Sequence, residues 1–524
     1  MQKIEKPQIK HLTQYLQGLS AHQSALFLSA IGALLASWVI YIQHGWINDD
    51  SVLYFEAARL FSIGELKAGW ELFAWPLYSL LIAGLHKLTT FSFQLSAQIL
   101  TVGFFTLATY SLLRIILLAG GSKITIICGA LLLFSTTYIV GDILPMLLRD
   151  QGFWACLLTA LVFFIQFYRQ HKLKDALYWQ IFAIFAMLFR IEAATFIALL
   201  PLILFLSPNT TIKNKVIYFI KAHALNLTLF VLASIAVLLH GDLSIEKLGR
   251  LQEIVSSWSQ IQANFNHTIA IKVQALTTSV LGEPLESYAW MSLILTLVII
   301  AAIKSISVAG WLPVILISGY YTKLKQNMAE DVRLILWATA LLAFFNAMLI
   351  IFKVNILPGR YVIVFGFVML IFAAFALREV LKQWQLKPRK QDKIVLIIAA
   401  ITISLSLIAN VLPKNSGYNH EQEAVTYLKQ QGIPNNQVFF VAPRSRYYAG
   451  APYNGRGYDY WDYTKQAIED GSILNHQYLM IPLKKKLDAA DKERFIREKL
   501  PQYQVVKTFY GERNKKKVVI YKRN

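Results

Sequence analysis

The sequence predicts an α-helical polytopic membrane protein of about 11–13 transmembrane helices, followed by a small C-terminal α/β domain. Of its 524 residues, 56% are hydrophobic and only 15% are charged, whereas about 25% of residues are charged in an ordinary soluble domain. Apolar runs long enough to cross a bilayer recur as far as residue 411. Residues 412–524 are polar and contain no run of that length.

The net charge of +21 is carried mainly by Lys and Arg in short loops between apolar runs. This distribution is the positive-inside pattern of membrane proteins, so no nucleic-acid partner is predicted. The only cysteines, Cys128 and Cys156, lie within apolar runs. The sequence therefore predicts neither a disulfide framework nor a cysteine-based metal site.

The membrane spans are predicted from the apolar runs. The first run follows a polar leader, residues 1–23, and is too long for a signal-peptide core, so it is interpreted as an uncleaved span. Runs 177–206 and 288–321 are long enough for two passes each. The runs are 24–42, 74–91, 95–118, 123–141, 151–168, 177–206, 215–240, 288–321, 334–353, 361–378 and 393–411.

The Lys/Arg bias predicts which loops face the cytoplasm. The predicted cytoplasmic segments are the N-terminus, 168–174, 213–221, 323–333 and 378–393. The opposite side receives 43–73, 241–287, 354–360 and everything after Pro413, including the C-terminal domain. This arrangement predicts a multi-pass protein of a bacterial-type inner membrane with that domain outside the cytoplasm. Segment 241–287 carries charged helical patterning, notably at 245–254, and predicts helices that lie along the membrane surface.

This topology contains one inconsistency. Loops 43–73 and 168–174 are predicted on opposite sides, which requires an odd number of crossings between them. Four apolar runs lie there instead, so one of them does not cross fully. The sequence does not identify which one.

The C-terminal segment 412–524 alternates strand and helix patterns. Its predicted strands are 437–441, 478–481, 504–509 and 517–521, and its predicted helices are 420–431 and 488–499. Segment 444–461 is rich in Tyr, Trp and Arg. Those residue types suit sugar binding, docking on a membrane surface and plain loop packing, and all three remain open.

Asp49 and Asp50 follow the first apolar run by about one helical turn. Carboxylates at a membrane boundary are costly to desolvate, which makes them candidates for a functional site. The alternative is a helix N-cap, since Asn48, Asp49 or Ser51 could each cap the amphipathic segment 51–62. Both interpretations are open at this point.

The parts around this acidic pair have a recognisable order. After the span come Asp50-x-x-x-Tyr54, a small-residue helix with Ala57-Ala58-Arg59, and a helix start of sequence Trp75-Pro-Leu-Tyr78. This order, over a layout of roughly residues 24–380, resembles the GT-C superfamily of membrane glycosyltransferases. Protein O-mannosyltransferases and the lipid A aminoarabinose transferases are members of that superfamily.

The resemblance implies that Asp50 is the catalytic base, with Asp49 as its alternative and Tyr54 in support. It implies an inverting transfer of a sugar from a polyprenyl-phosphate donor to a lipid, glycan or protein acceptor on the outer face. Membrane lipids are the further partner. Some members bind a divalent metal at the first-loop acid, but no cluster with ligand spacing is visible here, so metal and cofactor use stay undetermined.

A second acidic residue of the superfamily lies on a later outer loop, and Asp150, after Arg149, is at that position. The alternative is an interfacial pair at a helix start. Arg190 and Glu192 interrupt an apolar stretch. Being two residues apart on a helix, they are expected to have separate partners, either in a site or in a brace of the bundle.

The turn before a late span carries Arg360-Tyr361, where related transferases place an Arg-Tyr near the lipid phosphate. An arginine fork matches phosphate geometry, and Lys353 is its companion in this assignment. The alternative is positive charge that ends a helix. The rival functions are a multispan transporter or lipid flippase and a surface-polysaccharide ligase or polymerase. For the latter, segment 241–287 offers only Lys247, Arg250, His267 and Lys272.

Overall fold

The structure is a computed structural model that describes residues 18–208, 210–240, 259, 262–263, 265–354, 356–386, 389–413, 419–454, 460–484, 489–511 and 516–524. Segment 245–254, with Lys247 and Arg250, lies outside the described residues, as do parts of 378–393 and 444–461. The chain divides into two compact units. Unit 1 comprises Met1–Val39, Gln98–Leu144 and Arg149–Val411, and unit 2 comprises Ile40–Ala97, Pro145–Leu148 and Leu412–Asn524.

The described part of the chain is mainly α-helical. In chain order the helices are α1 Ala21–Tyr41, α2 Asp49–Ser62, α3 Leu66–Leu72, α4 Leu77–Thr89, α5 Phe93–Leu118, α6 Lys123–Phe134, α7 Asp150–Gln170, α8 Leu173–Phe189, α9 Ala193–Leu199, α10 Ile212–Ala222, α11 Ala224–His240, α12 Ala270–Leu276, α13 Ala289–Ala309, α14 Trp311–Asn327, α15 Glu330–Val354, α16 Ile363–Leu386, α17 Lys390–Val411, α18 His420–Gln430, α19 Pro443–Ala449, α20 Tyr460–Glu469 and α21 Ala489–Lys499. The strands are β1 Val438–Phe440, β2 Tyr478–Lys484, β3 Tyr503–Tyr510 and β4 Lys516–Arg523.

Seven helices within the described residues are long and apolar enough to cross a membrane, or up to nine if each of two bent pairs is one span. The protein is therefore a helical multi-pass membrane protein, as predicted. Among the described residues, fewer helices reach spanning length than the 11–13 predicted, because some predicted passes are short helices there. Within run 177–206, α8 has 17 residues and α9 has 7, whereas a rise of about 1.5 Å per residue requires about 20 residues to cross.

Helix α4, which lies in the run 74–91 of the inconsistent stretch, is not among the candidate spans. It has 13 residues and therefore extends only about 20 Å, less than the hydrocarbon thickness of about 30 Å. α6 and the segment Thr137–Met146 form a bent pair with an angle of 47°. When the bent pair is counted once, three candidate spans lie between residues 74 and 170: α5, the bent pair and α7. Three is an odd number, as the predicted sidedness of loops 43–73 and 168–174 would require.

The C-terminal part of unit 2 contains a four-stranded sheet in the order β1-β2-β4-β3. β1 and β2 are parallel, whereas β4 pairs antiparallel with both β2 and β3. Alternate strand residues point to opposite faces of the sheet. One face, with Leu479 and Ile481, packs against α20 and α21. The other, with Met480, packs against α18 and α19.

This sheet confirms the small C-terminal α/β fold. The predicted strands and the helices at 420–431 and 488–499 are present. Unit 2 also contains residues 40–97, so loop 43–73 belongs to the same compact unit as the C-terminal domain. The sequence did not predict that association.

Candidate functional site

The acidic pair lies at the first turn of α2 in unit 2. Asn48 is the N-cap residue: its backbone is extended, and its side chain accepts a hydrogen bond from the Asp50 N–H at 3.0 Å. Asp49 and Asp50 occupy the first turn, where carboxylates are stabilised by the helix dipole. Ser51 instead donates its hydroxyl to the carbonyl of Met146 at 2.6 Å. The capping interpretation therefore accounts for Asn48 and leaves the two acids for other roles.

Tyr54 lies one turn after Asp50 on α2 and is buried. Its ring centroid is 5.1 Å from that of Phe73 and 5.3 Å from that of Tyr78. The Tyr78 hydroxyl donates to the Leu147 carbonyl at 3.2 Å. Two parts of the recognised order, the Asp-x-x-x-Tyr element and the Trp-Pro-Leu-Tyr helix start, thus pack together through aromatic rings.

Asp49 belongs to a charged cluster with two residues of the C-terminal domain. Nε of Arg444 is 3.0 Å from Oδ1 of Asp49, and Nη2 of Arg444 is 2.5 Å from Oε1 of Glu421. Ser445 donates its hydroxyl to the second oxygen of Glu421 at 3.0 Å. Arg444 also lies over the Trp46 ring, 6.0 Å from its centroid. We call Asp49, Arg444 and Glu421 the unit 2 cluster.

Burial and charge act in opposite directions within the unit 2 cluster. Burial raises the pKa of Asp49, and the Arg444 guanidinium only partly offsets that rise. Burial by itself would lower the pKa of Arg444, but Glu421 and Asp49 outweigh it and raise that pKa. Burial and then the Asp49 carboxylate raise the pKa of Tyr460. Arg444 therefore stays charged between its two carboxylates, and Asp49 is held in the structure by contacts within unit 2.

In unit 1, the apolar stretch of α8 ends at an arginine. The backbone of Arg190 is extended, so α8 stops at Phe189 and a new helix begins at Ala193. Arg190 makes a two-point pair with Glu192: Nη2 donates to Oε1 at 2.7 Å and Nε to Oε2 at 3.3 Å. The prediction of separate partners for these two residues is wrong, because it assumed a continuous helix. An extended residue lets side chains two apart reach each other.

Arg190 also pairs with Asp150, the first residue of α7. The side chains of Asp150, Arg190 and Glu192 are only 1%, 4% and 16% exposed. Three predicted site residues from two distant motifs thus form one buried cluster, which we call the unit 1 cluster. Asp150 lies at a helix start, as the interfacial alternative expected. It pairs, however, with Arg190, and the sequence, which places Arg149 beside it, did not predict that pair.

Tyr361 adds an aromatic face to the unit 1 cluster. The Arg190 guanidinium lies over its ring at 4.1 Å from the centroid, and Arg360 lies 5.7 Å from the same centroid. The turn before them depends on Gly359, because an added Cβ would lie 2.6 Å from the Tyr138 hydroxyl. The Pro-Gly-Arg-Tyr turn therefore brings Arg360 and Tyr361 next to Arg190.

The remaining candidates are less closely tied to this cluster. Arg149 acts electrostatically on Glu192, and Lys353 lies in the last turn of α15. Sequence reasoning missed Arg444, Glu421 and Tyr460. Arg444 and Tyr460 lie in the Tyr/Arg-rich segment that was singled out, but nothing in the sequence pairs them with Asp49. In the part of the chain that the structure describes, no group of three or more His, Cys, Asp or Glu side chains is placed to hold a metal ion.

The fold assigns the protein to the multi-pass helical membrane proteins that also carry a small α/β domain. Each of its two units contains an arginine paired with two carboxylates. No protein-family model matches the chain, and no curated protein matches it significantly. The GT-C resemblance therefore stays a prediction that rests on the motifs and the positions of their residues.

Proposed function

We propose that this protein transfers a sugar from a polyprenyl-phosphate donor to an acceptor on the outer face of a bacterial-type inner membrane. The observation that carries the proposal is the acidic pair at the start of α2, directly after the candidate span Ala21–Tyr41. One acid of the pair, Asp49, is bound by Arg444. The next residue, Asp50, has the spacing to Tyr54 that the GT-C pattern requires.

We assign the catalytic base to Asp50 and a structural role to Asp49. In an inverting transfer, a carboxylate takes the proton of the acceptor hydroxyl while the acceptor oxygen attacks the anomeric carbon. The bond from that carbon to the phosphate oxygen breaks, and polyprenyl phosphate leaves with the electron pair. Asp49 lies against the Arg444 guanidinium, which holds it in place. Asp50 is the acid of the pair that lies four residues before Tyr54.

In unit 1 we assign the donor phosphate contact to Arg360, with Tyr361 and Lys353 beside it in the sequence. Arg190 pairs with the carboxylates of Asp150 and Glu192. The guanidinium groups of Arg360 and Arg190 both lie near the Tyr361 ring. A guanidinium can donate hydrogen bonds to two phosphate oxygens at once. Asp150 and Glu192 then position Arg190 and Tyr361, and have no proton-transfer role.

The proposal is tested with the full chain purified into lipid nanodiscs. Mass spectrometry of the co-purified lipids identifies the bound polyprenyl-phosphate sugar, and release of polyprenyl phosphate from that donor measures turnover. Asp50→Asn preserves side-chain volume and removes the base, so turnover should fall by about 10²–10⁴-fold. Its melting temperature should stay unchanged.

Asp49→Asn is the matched control, because it alters the adjacent acid in the same helical turn. It should retain turnover within a few-fold of the wild type. If Asp49→Asn is inactive and Asp50→Asn is active, the base is Asp49. Full turnover in both variants would overturn the assignment of the base to the acidic pair. If the wild type releases no polyprenyl phosphate from any donor, the transferase proposal is overturned and the transporter or polysaccharide-ligase alternatives are favoured.

A further inference from the structure

Unit 2 contains a cavity that the proposed chemistry does not use. It has a volume of about 550 Å³, within the usual range for small-molecule sites. α2 forms one wall, and the segment from Pro443 to Tyr453 forms the other. We call it the α2 pocket. Its aromatic and charged lining residues are Phe55, Glu56, Arg59, Phe93, Arg446, Tyr447 and Tyr453.

Aromatic rings make up much of the α2 pocket wall. Phe55 and Tyr447 pack with ring centroids 5.6 Å apart at 46°. The Tyr447 hydroxyl is fixed by Gln94, at 3.1 Å from its Oε1, so the ring is held in one orientation. Phe93 and Tyr453 add two further rings. Aromatic faces of this kind pack against the apolar surface of a ligand ring. The Tyr hydroxyls can hydrogen-bond to polar groups at the edge of the same ligand ring.

Charged groups line the same cavity. Arg59 makes a two-point pair with Glu56, at 3.0 and 2.7 Å. Arg446 donates to the Pro452 carbonyl at 2.7 Å, which holds the rim of the pocket. Burial, and then the Glu56 carboxylate, raise the pKa of Tyr453, so its hydroxyl stays a neutral donor. Aromatic faces and hydrogen-bonding groups thus line one concave site.

We infer that the α2 pocket binds a saccharide, a ring with apolar C–H faces and a hydroxylated edge. As a deepening of the proposed function, on which this assignment rests, the saccharide is part of the acceptor. A site for docking on a membrane surface would need protruding rings. Here Tyr447 and Tyr453 are half-buried and line a concave space. Tyr448, also half-buried, accepts a hydrogen bond from the Ile47 N–H at 3.1 Å.

The test is binding, measured apart from sugar transfer. The full-length wild type in nanodiscs is titrated with fluorescently labelled di- and tetrasaccharides of neutral, amino-sugar and uronic-acid types. Tyr453→Ala removes one ring, and Ala451→Phe fills the cavity from its wall. Each should weaken saccharide binding by about tenfold or more, which is about 1.4 kcal/mol. Tyr510→Ala is the control, because Tyr510 is exposed on β3 and does not line the pocket.

The outcomes separate this inference from the proposed transfer. Saccharide binding that depends on Tyr453 and Ala451, with no transfer from any lipid donor, supports the pocket and counts against the transferase. The inference is overturned if no saccharide of the panel binds, or if both pocket variants bind like the wild type. It is also overturned if a fluorophore on Pro452→Cys, at the exposed rim, is quenched by spin-labelled lipids. That result would assign the segment to the membrane surface.

Discussion

Each unit of this protein holds an arginine between two carboxylates, but the two clusters are assembled differently. In the unit 1 cluster, Arg190 meets Glu192 two residues along the chain and reaches Asp150, and the Asp150–Arg190 pair is 1% and 4% exposed. In the unit 2 cluster, the side chains of Asp49 and Arg444 are 22% and 18% exposed. Arg444 there connects loop 43–73 with the C-terminal domain.

The difference in burial suggests different roles for the two arginine–carboxylate clusters. Charges that are almost wholly buried must stay paired, because the loss of one partner leaves the other desolvated. We therefore interpret the unit 1 cluster as a brace of the helical bundle. The unit 2 cluster keeps some contact with solvent and lies next to Asp50. It fixes the position of a helix start that carries a candidate base.

Arg190→Ala should have the largest effect on stability. It leaves Asp150 and Glu192 buried without their cation, which we expect to cost about 3–5 kcal/mol. The melting temperature of the purified protein, and its yield, report the loss. Lys67→Ala is the control, because its pair with Glu71 is 88% and 66% exposed and should not affect stability measurably. An unchanged melting temperature in Arg190→Ala would remove the distinction between the two clusters.

Arg444→Ala should have an intermediate effect. It removes the cation that pairs with Asp49 and donates a hydrogen bond to Glu421, with an expected loss of about 1–3 kcal/mol. Arg444→Lys keeps the charge but not the fork that spans both carboxylates, so it should recover only part of the loss. Thermal unfolding of the three proteins side by side measures this. Equal stability of all three would mean that the unit 2 cluster does not hold the outer loop in place.

Arg360→Ala sharpens the comparison by testing the additional cation beside the unit 1 cluster. If Arg360 binds the donor phosphate in both ground and transition states, the apparent KM for the lipid donor should rise by about tenfold while kcat at saturating donor changes little. Steady-state turnover over a range of donor concentrations gives both constants. If the KM of this variant equals that of the wild type, Arg360 does not bind the donor phosphate. The alternative, a positive charge that ends a helix, would then be supported.

The smallest effect concerns the pH dependence of stability in unit 2. Because the folded-state pKa of Asp49 is raised above its ordinary value of 3.8, the folded protein binds more protons at this group than the unfolded chain does. Stability from this group therefore falls as pH rises through the window between the two pKa values, and is regained on acidification. Asp49→Asn should lose this dependence, as seen in melting temperatures between about pH 4 and pH 7. Parallel curves for the two proteins would contradict it.

Much of the fold was predictable because its causes are local. A membrane span requires a continuous apolar segment, and the strands of the C-terminal sheet follow an alternation within a few residues. The break at Arg190 was the exception. The sequence shows that Arg190 and Glu192 interrupt run 177–206, but both were expected to lie on a helix. The backbone is instead extended at Arg190, and the two side chains pair with each other. A hydropathy pattern does not predict that the backbone becomes extended at Arg190.

The sequence by itself determined the class of protein, the positions of its apolar helices and the residue types that could carry chemistry, because burial in lipid and helix periodicity act over short windows of chain. Only the tertiary structure decided the partners: Asp150 with Arg190, and Asp49 with Arg444. An ion pair requires two groups within a few ångströms in space, and residues far apart in the chain carry no local pattern that records such a contact. The grouping of residues 40–97 with the C-terminal domain has the same origin.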